Sequence, residues 1–277
     1  MKKLSSIIKI TRPVNVLITF AVVIVGALIS SNAFYLNQFV ILSAISASLI
    51  AASGNIINDY FDYEIDLINR PNRPLPSEQV SKNFVLLLYA IFVASGLILS
   101  HFIYLESVYI VMGTSVILFL YSYELKGIPI LGNAAIAICT GLAFIYSGVA
   151  VNNWQAAVIP AVFAFLINFV REIVKDVQDT KGDIKNGIVT FPNRFGISST
   201  RNLLVIFVLI LIAATFFPFL TNIYKIEYFL VVLFTVDLPL VFIIKFLLKN
   251  QLEAKVSQIS LMLKIIMLFG LIAIIMG

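Results

Sequence analysis

The sequence contains little charge, one cysteine and one histidine. Charged residues make up 12% of the 277 positions, whereas soluble globular proteins carry about 25%. The single Cys139 excludes an internal disulfide and a thiolate metal cage. The single His101 excludes a histidine-rich zinc or haem site. Hydrophobic residues, in contrast, make up 61% of the chain. This composition indicates a polytopic helical membrane protein.

Apolar runs recur along the whole chain and predict its fold class. A hydrocarbon core about 30 Å thick needs roughly 20 helical residues per crossing. We therefore predict an all-α membrane protein of about nine transmembrane helices, folded as one integral-membrane domain over residues 1–277. The runs lie at roughly 14–31, 39–57, 84–100, 108–122, 131–150, 156–173, 203–220, 227–246 and 259–276.

The distribution of Lys and Arg predicts the orientation in the membrane. If the N-terminus is cytoplasmic and the chain crosses nine times, every Lys and Arg except Lys225 falls on the cytoplasmic side. This asymmetry is the positive-inside pattern of membrane proteins. We therefore attribute the net charge of +5 to the positive-inside distribution of Lys and Arg and to their contact with anionic lipid. No nucleic-acid partner is expected.

The acidic residues are concentrated in two short stretches. Residues 58–66 read NDYFDYEID and residues 171–183 read REIVKDVQDTKGD. Each contains D-x-x-D-x-x-x-D, a spacing that places three carboxylates on one face of a helix. We call these segments the first and second acidic stretches. Both are predicted at the cytoplasmic end of a membrane helix, after the runs 39–57 and 156–173.

Several carboxylates on one helix face repel each other unless cations neutralise them. Ligand sets made only of oxygen favour hard ions, and Mg²⁺ is commonly held by a few carboxylates together with substrate phosphates. The nucleotide-binding patterns G-x-x-x-x-G-K-[ST] and G-x-G-x-x-G are absent from the sequence. We therefore expect Mg²⁺ and a diphosphate whose other part is apolar. Two alternatives are solvated helix ends and a transporter of divalent cations.

These stretches resemble a known family. The first stretch with its continuation LINRPNRPLPS, the second stretch and the opening TRPVN are similar to the UbiA superfamily of intramembrane prenyltransferases. The resemblance implies a helical cavity open to the cytoplasm, and it implies metal ligands at Asn58, Asp59, Asp62, Asp66, Asp176, Asp179 and Asp183. Among them, the expected catalytic carboxylates are Asp62, Asp66, Asp179 and Asp183.

The candidate substrate-binding residues are polar, aromatic and basic side chains in or near the two stretches and the TRPVN and YSYELK segments. They are Arg12, Asn15, Asn55, Arg70, Arg73, Tyr121, Tyr123, Lys126, Arg171, Lys175 and Lys181. For some of them the sequence leaves two roles open. Arg12 either contacts phosphate or anchors its helix at the interface, and Asn55 either orients the acceptor or packs between helices. Arg171 and Lys175 either neutralise the carboxylates or bind substrate phosphate.

The first stretch is most similar to archaeal members of the superfamily that form the second ether link of archaeal lipids. This similarity implies Mg²⁺-dependent transfer of a geranylgeranyl group from geranylgeranyl diphosphate to the free hydroxyl of geranylgeranylglyceryl phosphate. The expected partners are therefore a prenyl diphosphate, a membrane-embedded lipid acceptor and the bilayer itself. Other branches of the superfamily use aromatic acceptors, and this remains the alternative.

Overall fold

A computed structural model describes residues 2–31, 37–185 and 187–277, except for the side chains of residues 2–4, 181 and 185. In these ranges the chain is organised as helices joined by short turns. The helices are α1 (Lys2–Thr11), α2 (Pro13–Ser31), α3 (Gln38–Phe61), α4 (Tyr63–Asn69), α5 (Lys82–His101), α6 (Leu105–Tyr123), α7 (Leu131–Ala150), α8 (Val158–Lys185), α9 (Phe191–Leu220), α10 (Ile226–Val232), α11 (Leu238–Leu248) and α12 (Leu252–Met276). A 3₁₀ turn covers Leu125–Gly127, and a π-helical turn, Leu233–Asp237, joins α10 to α11.

The predicted all-α fold is confirmed. Seven of the nine predicted apolar runs lie within a single helix, run 227–246 spans α10, the π-helical turn and α11, and run 156–173 begins two residues before α8. Within the described ranges, eight segments are long and apolar enough to cross a membrane: Pro13–Ser31, Gln38–Phe61, Lys82–His101, Leu105–Tyr123, Leu131–Ala150, Phe191–Leu220, Ile226–Leu248 and Leu252–Met276. The predicted run 156–173 lies almost entirely in α8, which is 28 residues long and carries Arg171, Glu172 and Lys175 at and just beyond the end of this run. The count of nine crossings stays a prediction.

The chain divides into two compact units, and the first comprises Met1–Leu125 and Leu142–Val158. Its central element is α3, which packs against α2, α5 and α6. Gly26 of α2 lies so close to α7 that an added Cβ would collide with the Ser147 hydroxyl oxygen. A side chain at position 26 would therefore push these two helices apart.

The short helix α1 packs against the C-terminal part of α3 and is not continuous with α2. Arg12 interrupts the two helices with a φ of 53°, and Pro13 then begins α2 because proline suits the first turn of a helix. Ile10 is 1% exposed and packs with Ile56 of α3 and Leu75 of the loop that follows α4. The helix break thus holds α1 beside the end of α3.

The second unit comprises Lys126–Gly141 and Ile159–Gly277. Its helices α9 to α12 pack on one another, and α9 is bent at Gly196, whose φ of 79° favours glycine. Inside this unit Thr215 of α9 donates a hydrogen bond to Asp237 Oδ1 at 2.9 Å. Tyr228 donates to the Thr215 carbonyl at 2.9 Å. These bonds satisfy the Thr215 and Tyr228 hydroxyls and Asp237 Oδ1, whereas the buried Asp237 Oδ2 has no hydrogen-bond partner in the described part of the chain.

Candidate active site

The first acidic stretch, residues 58–66, covers the end of α3, Asp62 between the helices and the first part of α4. The single helix expected across it is interrupted at Asp62, where φ is −80° and ψ is 1°. Helical hydrogen bonds nevertheless continue through the bend, from Asp62 N to Asn58 O at 2.9 Å and from Asp66 N to Asp62 O at 2.8 Å. The acidic residues therefore stay one turn apart despite the interruption.

Two arginines bind the carboxylates of this stretch. Arg12 Nη2 lies 2.6 Å from Asp59 Oδ1. Arg73 Nη1 lies 3.1 Å from the same Asp59 oxygen and 2.5 Å from Asp66 Oδ2. Both aspartates are 4% exposed, and each has an arginine partner because a buried carboxylate without a counter-charge is costly. Two positive and two negative charges thus form one ion-pair network, which we call the arginine–aspartate network.

The loop between α4 and α5 positions Arg73. Pro74, Leu75 and Pro76 are buried, and proline cannot continue a helix. The chain therefore leaves α4 and folds back toward α3, where Leu75 joins the apolar cluster around Ile56. The Ser77 hydroxyl donates to the Arg73 carbonyl at 2.6 Å. Arg70 precedes this segment and is exposed.

The three asparagines among the predicted site residues differ in their hydrogen bonds and exposure. Asn58 Nδ2 donates to Asp62 Oδ2 at 2.9 Å, so these two predicted metal ligands lie together. Asn55 Nδ2 donates to the Thr11 carbonyl at 2.9 Å, which ties α3 to the end of α1. This bond supports the packing role for Asn55. The side chain of Asn15, in the first turn of α2, is exposed.

The two tyrosines before Lys126 lie at the end of α6. Tyr123 is 62% exposed, and its ring stacks on Phe119 with 6.2 Å between centroids. It also meets Phe61 edge-on at 5.5 Å. Tyr121 is partly buried. Tyr123 therefore belongs to an aromatic cluster beside the end of α3.

The second acidic stretch lies in the second unit and forms one uninterrupted helix, as predicted, within α8. Asn133 of α7 is 8% exposed, and its Nδ2 donates to Asp176 Oδ2 at 2.8 Å. Burial raises the pKa of Asp176 to about 7, although the Asn133 bond and Lys175 lower it. Burial and the charge of Asp179 raise the pKa of Asp183 to about 6, while Lys126 and Lys175 act in the opposite direction.

The basic residues of α8 are arranged around Glu172, a residue that the sequence-based site did not include. Glu172 is 6% exposed, with its two carboxylate oxygens 3.2 Å from Arg171 Nη1 and 3.2 Å from Lys175 Nζ. Arg171 also donates to Asn168 Oδ1 at 3.4 Å. The structure therefore places both cations beside an acid, as the neutralising role requires. Lys181 lies in α8, and its side chain is outside the described part.

Glu172 carries a sequence signal that could have identified it. It precedes Asp176 by one helical turn and so extends the carboxylate row toward the apolar part of α8. Its charge also contributes to the raised pKa of Asp176. Asn133 carries no comparable signal, because it lies 43 residues away from Asp176 in the chain.

The donor chemistry of the two stretches fits Mg²⁺, which prefers oxygen ligands. In the second stretch, the raised pKa values of Asp176 and Asp183 show that their charged forms are disfavoured. A divalent cation bound beside them would stabilise these charged forms. In the first stretch, the arginines already compensate Asp59 and Asp66. Within the described residues, no three His, Cys, Asp or Glu side chains are grouped closely enough to hold a metal ion. The seven-residue ligand set stays a prediction.

Comparison with known proteins agrees with this chemistry. The UbiA prenyltransferase family matches residues 16–268. Digeranylgeranylglyceryl phosphate synthase of Thermococcus gammatolerans is 35% identical over 262 residues, which cover 95% of this chain and 94% of the relative.

Solved structures show the same fold. A digeranylgeranylglyceryl phosphate synthase superposes with a TM-score of 0.90 at 33% identity, covering 100% of this chain and 99% of the other. A UbiA homolog from Archaeoglobus fulgidus, bound to GPP and Mg²⁺, has a TM-score of 0.67 at 20% identity and covers 97% of this chain and 99% of its own. The family match extends over most of the chain, from α2 into α12, so this chain belongs to the UbiA prenyltransferase family and is a multi-pass membrane prenyltransferase.

Proposed function

We propose that this enzyme transfers a geranylgeranyl group from geranylgeranyl diphosphate to the free hydroxyl of geranylgeranylglyceryl phosphate in a Mg²⁺-dependent reaction. The observation that carries the proposal is the near-full-length identity of 35% to a digeranylgeranylglyceryl phosphate synthase. The site chemistry supports it, because carboxylates and basic side chains lie together in both acidic stretches. Carboxylates suit the metal, and arginine and lysine suit phosphate oxygens.

In the proposed reaction, the bond between C1 of the prenyl chain and the diphosphate oxygen breaks, and the diphosphate leaves with the electron pair. The free hydroxyl oxygen of the acceptor forms a new bond to C1 and loses its proton. The products are digeranylgeranylglyceryl phosphate, diphosphate and one proton. Apolar helices around the reacting carbon exclude water, which would otherwise capture the allylic cation.

The two acidic stretches have the metal-binding role in this proposal. Mg²⁺, when bound, would neutralise the diphosphate and stabilise the charge that develops on the leaving group. Its proposed ligands are Asn58, Asp59, Asp62, Asp66, Asp176, Asp179 and Asp183. Because Asp59 is already bonded to Arg12 and Arg73, we assign it mainly to positioning these two arginines.

Basic residues have the phosphate-binding role. Arg73 and Arg12 border the first stretch, and Arg171 and Lys175 border the second. We propose that substrate phosphate oxygens compete with the protein carboxylates for these cations, so that the resting ion pairs keep the arginines in place before substrate binds. Lys126 is a further candidate, since its charge acts on Asp183.

The proposed topology follows the positive-inside count. The N-terminus and both acidic stretches lie on the cytoplasmic side, with the active site open to the cytoplasm and one integral-membrane domain covering residues 1–277. Geranylgeranyl diphosphate would then arrive from the cytoplasm or the inner leaflet, and the lipid acceptor would arrive from the bilayer.

Product analysis by mass spectrometry tests the proposed function. Purified protein in nanodiscs is given Mg²⁺, geranylgeranyl diphosphate and either geranylgeranylglyceryl phosphate or 4-hydroxybenzoate. We expect digeranylgeranylglyceryl phosphate and equimolar diphosphate, with no product after chelation of Mg²⁺. Glu227 is an exposed acid at the start of α10. The variant Glu227→Gln is the control, and we expect its turnover to equal that of the wild type. Preferential prenylation of 4-hydroxybenzoate would instead establish the aromatic alternative.

A further inference from the structure

Asn133 connects helix α7 to the second acidic stretch. It lies in the first turn of α7 and is 8% exposed. Its Nδ2 donates to Asp176 Oδ2 at 2.8 Å, although the two residues are 43 positions apart in the chain. Both residues belong to the second unit. A neutral amide from α7 therefore contacts the row of carboxylates that α8 carries.

The segment that leads to Asn133 runs beside this row. Burial and the charge of Asp179 raise the pKa of Asp183 to about 6, whereas Lys126, in the 3₁₀ turn before α7, lowers it. Asp176 precedes Asp183 by seven residues, which corresponds to roughly 10 Å along α8. Residues 126–133 thus act on α8 at two places, with a positive charge toward Asp183 and an amide at Asp176.

The packing of α7 on α8 restricts where the Asn133 amide can lie. At Gly141, about two turns after Asn133, an added Cβ would lie 3.0 Å from the Ala161 carbonyl oxygen of α8. The two helices approach this closely because glycine has no side chain. The Asn133 side chain is short and buried. Its donor position is therefore determined mainly by the two helix backbones.

The chemistry of the bond suits a carboxylate that binds a metal. The amide nitrogen of asparagine only donates hydrogen bonds, and a bond to an ionised acceptor is stronger than a bond to a neutral one. The Asn133 bond therefore favours the ionised carboxylate that a metal ion requires. Because the bond holds Asp176 Oδ2, it fixes the rotation of the carboxylate and leaves Oδ1 as the oxygen for a metal.

We propose that Asn133 is a positioning residue of this enzyme, which holds Asp176 Oδ2 so that Oδ1 can bind Mg²⁺. The proposal rests on the metal-binding role of the acidic stretches in the proposed function. Asn133 acts only through Asp176 and does not bind the metal itself. If its role were purely structural, Asn133 would stabilise the fold without changing the affinity for Mg²⁺. These two roles are separated by measuring metal binding and stability on the same variants.

Metal binding is measured on the purified full-length protein without substrate. The rise in Tm with increasing Mg²⁺ concentration gives an apparent Kd. We expect Asn133→Ala to raise this Kd about 10- to 100-fold, as the loss of a group that orients a metal ligand typically does. Asn133→Leu, which has a similar volume and no donor, preserves the packing and should give the same rise. Asn153→Ala is the matched control, because Asn153 Nδ2 donates at 2.7 Å to the Ser30 carbonyl, and it should keep the wild-type Kd.

A double-mutant cycle tests whether Asn133 acts through Asp176. In an Asp176→Ala background, Asn133→Ala should change the apparent Kd by less than about twofold, because the group that it orients is already absent. Turnover gives a second measurement. In Asn133→Leu, the Mg²⁺ concentration for half-maximal turnover should rise by the same factor as the Kd, while kcat at saturating Mg²⁺ stays near the wild-type value.

A wild-type Kd in both Asn133 variants, with a lowered Tm, overturns the proposal and leaves Asn133 with a structural role. The wild-type response to Mg²⁺ then still supports the proposed function. An equal loss of affinity with and without Asp176 also overturns the proposal, because Asn133 would act independently of that carboxylate. If neither the Tm nor the turnover of the wild type responds to Mg²⁺, the metal-binding role itself fails, and the role of Asn133 fails with it.

Discussion

Arg12 and Asp59 are 47 residues apart in the chain, and their side chains meet at 2.6 Å. This ion pair joins the break between α1 and α2 to the end of α3. It also shows that the TRPVN segment and the first acidic stretch, which the sequence treats as two motifs, form one structural site. Arg73 extends this site by bonding both Asp59 and Asp66.

The first prediction concerns stability. Arg73→Ala leaves Asp59 and Asp66 buried with fewer counter-charges, so we expect the free energy of unfolding to fall by about 3–5 kcal/mol. Arg70→Ala, at an exposed position in the same loop, should change it by no more than about 0.5 kcal/mol. Thermal unfolding in detergent measures both. Equal Tm values for the two variants would show that Arg73 does not hold the stretch together.

The second prediction concerns catalysis. Asp62→Ala and Asp179→Ala should each lower kcat by at least about 100-fold, because stabilisation of developing charge supplies several kcal/mol. Asp179 is exposed and Asp62 is partly buried, so both variants should stay folded. Steady-state rates are measured on protein whose folding is checked by its Tm. Substantial activity in both variants contradicts the metal-binding role of the stretches.

The third prediction concerns pH and metal binding. The pKa of Asp176 is raised to about 7 in the folded chain, so its proton stabilises the metal-free fold at low pH. That contribution is lost as the pH rises through about 7. Because Mg²⁺ needs the carboxylate form, its binding releases the proton. The rise in Tm on adding Mg²⁺ should therefore be larger at about pH 8 than at about pH 6.

Asp176→Asn is the control for this effect. This exchange removes the titrating group. The rise in Tm on adding Mg²⁺ should therefore differ less between about pH 8 and about pH 6 than in the wild type, and it should be smaller at both pH values. A Tm response to Mg²⁺ that is independent of pH in the wild type would contradict the link between Asp176 and the metal.

The fourth prediction concerns topology. The positive-inside count places the N-terminus in the cytoplasm and the C-terminus on the opposite side. In a Cys139→Ala background, Gly277→Cys should react with a membrane-impermeant thiol reagent in intact cells. A cysteine placed at Ser5 should react only after permeabilisation and serves as the matched control. The reverse pattern, or labelling of both on one side, contradicts the nine-helix topology.

The sequence alone predicted the all-α fold and the carboxylate row of the second acidic stretch. Apolar runs predicted where the membrane helices lie, because the length of apolar helix that a bilayer requires can be read from consecutive residues. The spacing of Asp176, Asp179 and Asp183 likewise predicted a carboxylate row that α8 carries without interruption. Neighbours one turn apart on a helix can be read from their separation in sequence.

Tertiary structure alone decided which polar and charged side chains meet. Asn133 reaches Asp176 across 43 residues, and Arg12 reaches Asp59 across 47. Helical periodicity gives no information about such pairs, because it fixes the face of one helix and says nothing about the helix opposite. The folding of the loop around Arg73 also depends on packing against α3, through Leu75 and Ile56. Buried carboxylates need partners wherever the fold brings them, and only the packed helices determine which partners are within reach.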